Sequence, residues 1–201
     1  PWSAPWAMGD PRDTESGKHV AQLQLPETIA HIYDSHFDFV WRNARRLGVP
    51  EASTDDVVQD VFIVVQRRIA DFDGRSSMQA WIFGILQRVV SDHRRNHRRK
   101  AARNVPLEHE AARGVGAASG PSPSELAERS ERLRLLERLL GELDEPKRTL
   151  LILSELEEWT LREIAQFFGS NISTIYSRLR VAKRDFELAY ARAQSGKEDL
   201  P

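Results

Sequence analysis

Cysteine is absent from the 201-residue chain, which excludes disulfides, zinc–cysteine sites and thiol chemistry. No apolar run approaches the roughly 18 residues that cross a bilayer, so direct membrane insertion is not expected. The opening stretch PWSAPWAMGDPRDTESGKH lacks the basic-then-apolar order of a signal peptide. It reads as a flexible tail over residues 1–25, and a cytoplasmic protein is expected. Gly-rich phosphate loops and nucleophile elbows are missing too, so no catalytic residue, cofactor or enzymatic activity is assigned. His93 and His97 stand four apart, a spacing that can ligate a metal, and His109 lies near Glu108 and Glu110. The His-Glu-x-x-His arrangement is absent, and the pair sits among arginines that would repel a cation. No metal site is expected.

What remains is a globular, somewhat polar chain, 40% hydrophobic and 29% charged, with room for one domain or two small ones. The net charge of −1 hides an uneven distribution. Arg88, Arg94, Arg95, Arg98, Arg99, Lys100 and Arg103 cluster, while acidic residues dominate from Glu125 to Glu145. A local basic block favours a polyanion even when the whole chain is near neutral.

Helical periodicity recurs along the chain. Ile29, Ile32, Tyr33, Phe37, Val40, Trp41, Ala44 and Leu47 form the apolar stripe of a first helix from Pro26, stopped by Gly48, Val49 and Pro50. Ser53 and Asp56 suggest a capping box for the next. Its valines invite a strand reading, yet Val57, Val58, Val61, Phe62, Val64, Val65 and Ile69 keep three-four spacing, which predicts a helix. Asp73-Gly74 marks a turn, and Ser76 or Ser77 can cap a third helix running to about Lys100. Trp81, Ile82, Ile85, Leu86 and Val89 face its core. Gly84 falls inside it, at a cost of about 1 kcal/mol relative to alanine.

Residues 101–124, with GVGAASGPSPS, read as a flexible linker. Beyond it Leu126, Leu133, Leu136, Leu140 and Leu143 mark an amphipathic helix, and Pro146 suits the first turn of another that reaches about Leu156. From about Gln194 the chain reads as a polar frayed end. The expected fold is all-α: two small helical domains on a flexible linker.

The densest signal is WTLREIAQFFGSNISTIYSRLRVAKRDF, Trp159 to Phe186. Thr160 and Glu163 spell a capping box, and Leu161, Ile164, Ala165 and Phe168 recur at helical spacing. Gly169 suits a left-handed C-terminal residue. Asn171 can cap a second helix with the buried stripe Ile172, Ile175, Leu179 and Phe186. Its other face carries Ser173, Thr174, Tyr176, Ser177, Arg178, Arg180, Lys183 and Arg184. This is the pattern of a helix-turn-helix; an ordinary helical hairpin with a solvated basic face has it as well.

Taken in order, DDVVQDVF (Asp55 to Phe62), ADFDGRSSMQAWIFGI (Ala70 to Ile85), SDHRRNHRRK (Ser91 to Lys100), LDEPKRTLLIL (Leu143 to Leu153) and the Trp159–Phe186 stretch resemble the extracytoplasmic-function (ECF) group of the sigma-70 family. The resemblance covers most of residues 26–192. It implies an initiation factor with a region 2 domain over residues 26–100 and a region 4 domain over residues 125–194. Core RNA polymerase, through the clamp helices of its largest subunit, would meet Asp56, Gln59, Asp60, Gln66 and Arg67. Phe72, Asp73, Gly74, Arg75 and Ser76 would form a loop capturing minus-10 bases, with Arg88, Arg94, Arg95, Arg98 and Arg99 holding the DNA backbone.

Ser173, Thr174, Tyr176, Ser177 and Arg180 would approach the minus-35 major groove, and Arg178, Lys183 and Arg184 the phosphates. Three positions depart from the family's habit: a basic residue is frequent where Gly84 and Tyr176 stand, and an asparagine where Arg88 stands. Promoter DNA, core polymerase and an anti-sigma factor are the implied partners. The rival reading is a helix-turn-helix regulator acting without polymerase, which gives no reason for DDVVQDVF or FDGRSS.

Overall fold

The computed structural model describes residues 25–101 and 123–198. Nearly all of the expected N-terminal tail and of the linker, Arg103, and His109 with its neighbouring glutamates lie outside the described residues, as do the side chains of Lys100 and Leu126. Among the described residues all regular structure is helical, with no strand, and it divides into two compact units.

The N-terminal unit is built on α1 (Leu25–Arg46), α2 (Thr54–Arg68) and α3 (Met78–Ala101). Val40, Ala44, Val57, Val61, Val65, Ile82, Phe83 and Leu86 are fully buried in its core. The three-four spacing of the valines therefore overrides their β preference in α2. Gly48, at φ 91°, ends α1 in the left-handed region. The expected Ser53–Asp56 capping box does not form. Ser53 makes no side-chain cap bond; it closes a 3-10 turn, Glu51–Ser53, and the Thr54 hydroxyl donates to the Pro50 carbonyl at 3.0 Å.

Two stripes shift from expectation. In α1, Tyr33 is 42% exposed, whereas Phe39 and Asn43 are buried, the Asn43 amide donating to the Phe39 carbonyl at 2.9 Å. In α3, Val89 is only half-buried, and Phe83 and Val90 fill the core instead. Of the two serines offered as caps for α3, Ser77 does the work: its Oγ accepts from the Ala80 N–H at 3.2 Å. Gly84 is buried on this helix.

The C-terminal unit comprises α4 (Pro123–Glu142), α5 (Glu145–Leu151), a π-helical turn (Ile152–Leu156), α6 (Leu161–Phe167) and α7 (Ile172–Glu198). Leu140, Leu150, Ile152, Leu153, Ile164, Ile175 and Ala182 form its core. Leu133, expected in the stripe of α4, is 49% exposed. Asp144 caps α5, accepting from the Lys147 N–H at 3.0 Å, with Pro146 in the first turn. The helix expected to run to Leu156 widens after Leu151 into the π turn. Glu158, a non-glycine residue at φ 56°, then redirects the chain towards α6. The C-terminal helix runs to Glu198, past the frayed end expected from Gln194.

Candidate nucleic-acid interface

The start of α6, the turn after it and the start of α7 are each fixed by bonds local in sequence. Thr160 Oγ1 accepts from the Glu163 N–H at 3.3 Å, and Glu163 Oε2 accepts from the Thr160 N–H at 2.8 Å, a reciprocal capping box. The Thr160 hydroxyl also donates to that carboxylate, and these bonds hold the Glu163 carboxyl below its ordinary range. Gly169 closes α6 at φ 56°, and Asn171 Oδ1 accepts from the Thr174 N–H at 2.7 Å to start α7. Trp159 meets Phe167 edge-on at 5.7 Å, bracing α6 beneath the turn.

On α7, Ser173, Tyr176, Ser177, Arg178, Arg180, Lys183 and Arg184 are all exposed, and Thr174 is half-buried. They are not equivalent. Ser177 Oγ donates back to the Ser173 carbonyl at 3.0 Å. Lys183 is 2.9 Å from Glu155 on the π turn, and Arg184 is 3.0 Å from Asp185. Arg180 has no ion-pair partner among the described residues.

Lys147 reaches both Asp144, at 2.7 Å, and Asp185, at 3.0 Å, tying the cap of α5 to α7. The Lys147 contact is the main cause holding the Asp185 carboxyl down. Ile172, assigned to the buried stripe, is 48% exposed; Ala182 and Ala189 are the small buried residues that let α7 lie close to its neighbours.

In the N-terminal unit the turn after α2 carries Phe72 to Ser76. Phe72 is half-buried, its ring 5.5 Å from Trp81. The Arg75 N–H donates to Asp73 Oδ1 at 3.0 Å, and its guanidinium lies 3.2 Å from the other carboxylate oxygen. Gly74 has φ 71° and open space around the position of a Cβ. Ser76 is half-buried. Along α3, Arg88, Arg95, Arg98 and Arg99 are exposed and Arg94 is half-buried, with Arg95 3.6 Å from Asp92. His93 and His97 have ring centres 6.1 Å apart, and no group of three or more potential ligands gathers among the described residues. Asp56, Gln59, Asp60, Gln66 and Arg67 share the exposed face of α2.

Residues 32–100 match the family model of sigma-70 region 2, and residues 133–186 match that of sigma-70 region 4. The RNA polymerase sigma factor CnrH of Cupriavidus metallidurans is 30% identical over 144 residues, 70% of this chain and 74% of the relative. The chain belongs to the sigma-70 family. NccH of Alcaligenes xylosoxydans, another RNA polymerase sigma factor, is 29% identical over 88% of this chain and 94% of its own. The ECF sigma factor SigL of Mycobacterium tuberculosis is 29% identical over 86% and 93%.

The fold has the same affinity. CnrH, solved with the cytosolic domain of CnrY, superposes with a TM-score of 0.59 at 22% identity, covering 83% of this chain and 90% of that one. RpoE of Bartonella quintana, solved with the anti-sigma factor NepR, gives 0.56 at 17% identity, covering 83% and 96%.

This is accordingly an ECF sigma factor, a factor of transcription initiation that directs RNA polymerase to promoters. A helix-turn-helix regulator acting alone is not favoured, because the region 2 match takes in α2, the loop and α3, for which that reading has no use. Sequence reasoning missed several residues that shape the region 4 unit. Arg148, between Lys147 and Thr149, is buried; Glu155 engages Lys183; Ile172 is exposed. For Arg148 the sequence offers only a second cation after Lys147, which fits an exposed position equally well.

Proposed function

We propose that the two units divide promoter recognition along the chain. Residues 26–100 act as the region 2 domain and residues 125–194 as the region 4 domain, with residues 101–124 as the linker. Asp56, Gln59, Asp60, Gln66 and Arg67 dock on the clamp helices of core polymerase; their placement on one exposed face of α2 supports this. Phe72 to Ser76 capture a base flipped from the minus-10 element. Unstacking a base costs a few kcal/mol, offset by stacking and by contacts to the strand.

Trp81 acts here as the brace behind Phe72, and the glycine freedom at Gly74 lets a base approach the loop backbone. Arg88, Arg94, Arg95, Arg98 and Arg99 run along the phosphates of the opened strand. Ser173, Thr174, Tyr176, Ser177 and Arg180 face base edges of the minus-35 element, and Arg178, Lys183 and Arg184 the backbone. Phosphate contacts orient; base contacts discriminate. An anti-sigma factor is a third partner, and the cytoplasm the place of action. The polymerase supplies the chemistry.

The observation carrying this reading is the capped, glycine-closed turn that presents the exposed cationic face of α7. The test is run-off transcription by core polymerase with the full chain on a randomised promoter library. Initiation from a subset sharing two spaced elements is expected. A folded protein that neither retains core polymerase nor initiates from any member would overturn the proposal.

A further inference from the structure

We propose that Ile172 and Tyr176 form an apolar reading edge that senses the 5-methyl groups of thymines in the minus-35 element. The inference rests on the proposal that α7 enters the major groove. Ile172 is 48% exposed and Tyr176 60% exposed. Being four residues apart on one helix, they lie one above the other, with Cβ atoms about 5–6 Å apart. Ile172 opens α7, directly after the Asn171 cap, and the first residues of a recognition helix are those that reach base edges.

Around this pair the exposed face is polar or cationic: Ser173, Ser177 and Arg180. An aliphatic and an aromatic side chain left in water there gain burial only if the partner offers apolar surface. The cations beside them select a polyanion. On duplex DNA the major-groove edge of every base presents a donor, an acceptor or both, and thymine alone adds a methyl group. Ser177 strengthens the argument, since its hydroxyl is turned onto the Ser173 carbonyl at 3.0 Å. Arg180, one turn beyond Tyr176, reads by hydrogen bonds, while the Ile172–Tyr176 edge reads by shape and apolarity.

The experiment uses holoenzyme assembled from the full chain and core polymerase. Minus-35 sequences are first selected from a randomised library. Each selected thymine is then replaced singly by deoxyuridine, which removes the methyl group and nothing else, and the fragments compete for binding. At one or two positions the wild type should bind the deoxyuridine fragment about fourfold more weakly, the effect of one buried methyl. In Ile172→Ala and Tyr176→Ala, both at exposed positions, that ratio should fall to about one, while Arg180→Ala should retain it.

Equal binding of thymine and deoxyuridine at every position by an active wild-type holoenzyme would overturn the inference and leave the promoter-reading function standing. So would an Ile172→Ala protein that keeps the full ratio, or a selected element without thymine. A wild-type holoenzyme that selects no sequence at all would instead sink the reading on which the inference rests.

Discussion

Arg148 is only 8% exposed and ends in a cluster of carbonyl groups. Its Nε donates to the Leu140 carbonyl at 2.7 Å, and Nη2 to those of Leu143 at 2.9 Å and Gly141 at 3.0 Å. These acceptors lie in and just beyond the last turn of α4, where carbonyls have no partner within the helix. Arg148→Met keeps an aliphatic stem and removes every donor. A hydrogen bond from a charged group contributes about 1.5–3 kcal/mol. The contacts share one side chain and do not add, but each carbonyl left buried without a donor costs about 1–3 kcal/mol, so the expected loss is about 3–5 kcal/mol.

Against a total stability of about 5–15 kcal/mol, that is a large fraction. At about 4–8 °C per kcal/mol for a unit of this size, the melting temperature should drop by more than about 10 °C. Hydrogen exchange of the α4 and α5 amides would place the loss in the C-terminal unit. Because α5 packs on α7, transcription from minus-35-dependent promoters should fail at a lower temperature in the variant. Arg148→Lys, keeping the charge without the planar fork, should fall between. An Arg148→Met protein within about 1 kcal/mol of wild type in urea denaturation would refute the reasoning.

Lys183 and Glu155 are each more than two-fifths exposed, so their ion pair contributes less than about 1 kcal/mol to stability. Its effect should appear on DNA instead. Releasing Lys183 with Glu155→Gln should steepen the log–log salt dependence of promoter binding by up to about 0.9, one phosphate contact; an unchanged slope would show that the pair does not withhold Lys183. Acid should weaken the C-terminal unit first. The Thr160 hydroxyl lowers the Glu163 carboxyl, Ser154 and then Lys183 lower Glu155, and Lys147 and then Arg184 lower Asp185. Asp144 is lowered as well, burial pulling it up but the Lys147 contacts prevailing.

With folded values below unfolded ones, their stabilisation is complete above the ordinary 3.8 and 4.5 and is lost as pH falls through the folded values. Melting temperature followed through α6 and α7 should hold level above that window and fall below it. Glu163→Gln should make the fall shallower, and an identical acid profile in that variant would count against the linkage.

Features set by a few adjacent residues were legible in advance, and those set by packing were not. The Thr160–Glu163 box, the Asn171 cap and the left-handed Gly169 each satisfy backbone groups within their own turn, so their residue types announce them. At the start of α2 the same logic fails because a competitor is present. The Thr54 hydroxyl takes the Pro50 carbonyl, and Ser53 is consumed in a 3-10 turn. The π turn has no local signature: Ile152 and Leu153 are as apolar as the α-helical residues before them. Its extra residue is visible only in the bonding, where the Glu157 N–H reaches the Ile152 carbonyl and the Trp159 N–H the Leu153 carbonyl. Arg148 was unreadable for the opposite reason. An arginine beside Lys147 reads as solvated, and the acceptors that hold it in the interior come from the end of another helix.

Ile172 shows how the candidate site escapes the same reasoning. Ile172, Ile175, Leu179 and Phe186 keep a helical spacing, so residue type assigns all four to one stripe. The buried stripe instead follows Ile175, Leu179, Ala182 and Ala189, starting one member later. The direction of the Cα–Cβ bond accounts for the difference. A helical side chain leans towards the N-terminus and covers the turn before its own Cα. The first residue of α7 has no such turn to cover, so Ile172 overhangs the end of the helix instead of packing along it. That overhang removes it from the core and, in the proposed docking of α7, sets it at the edge from which a recognition helix meets bases.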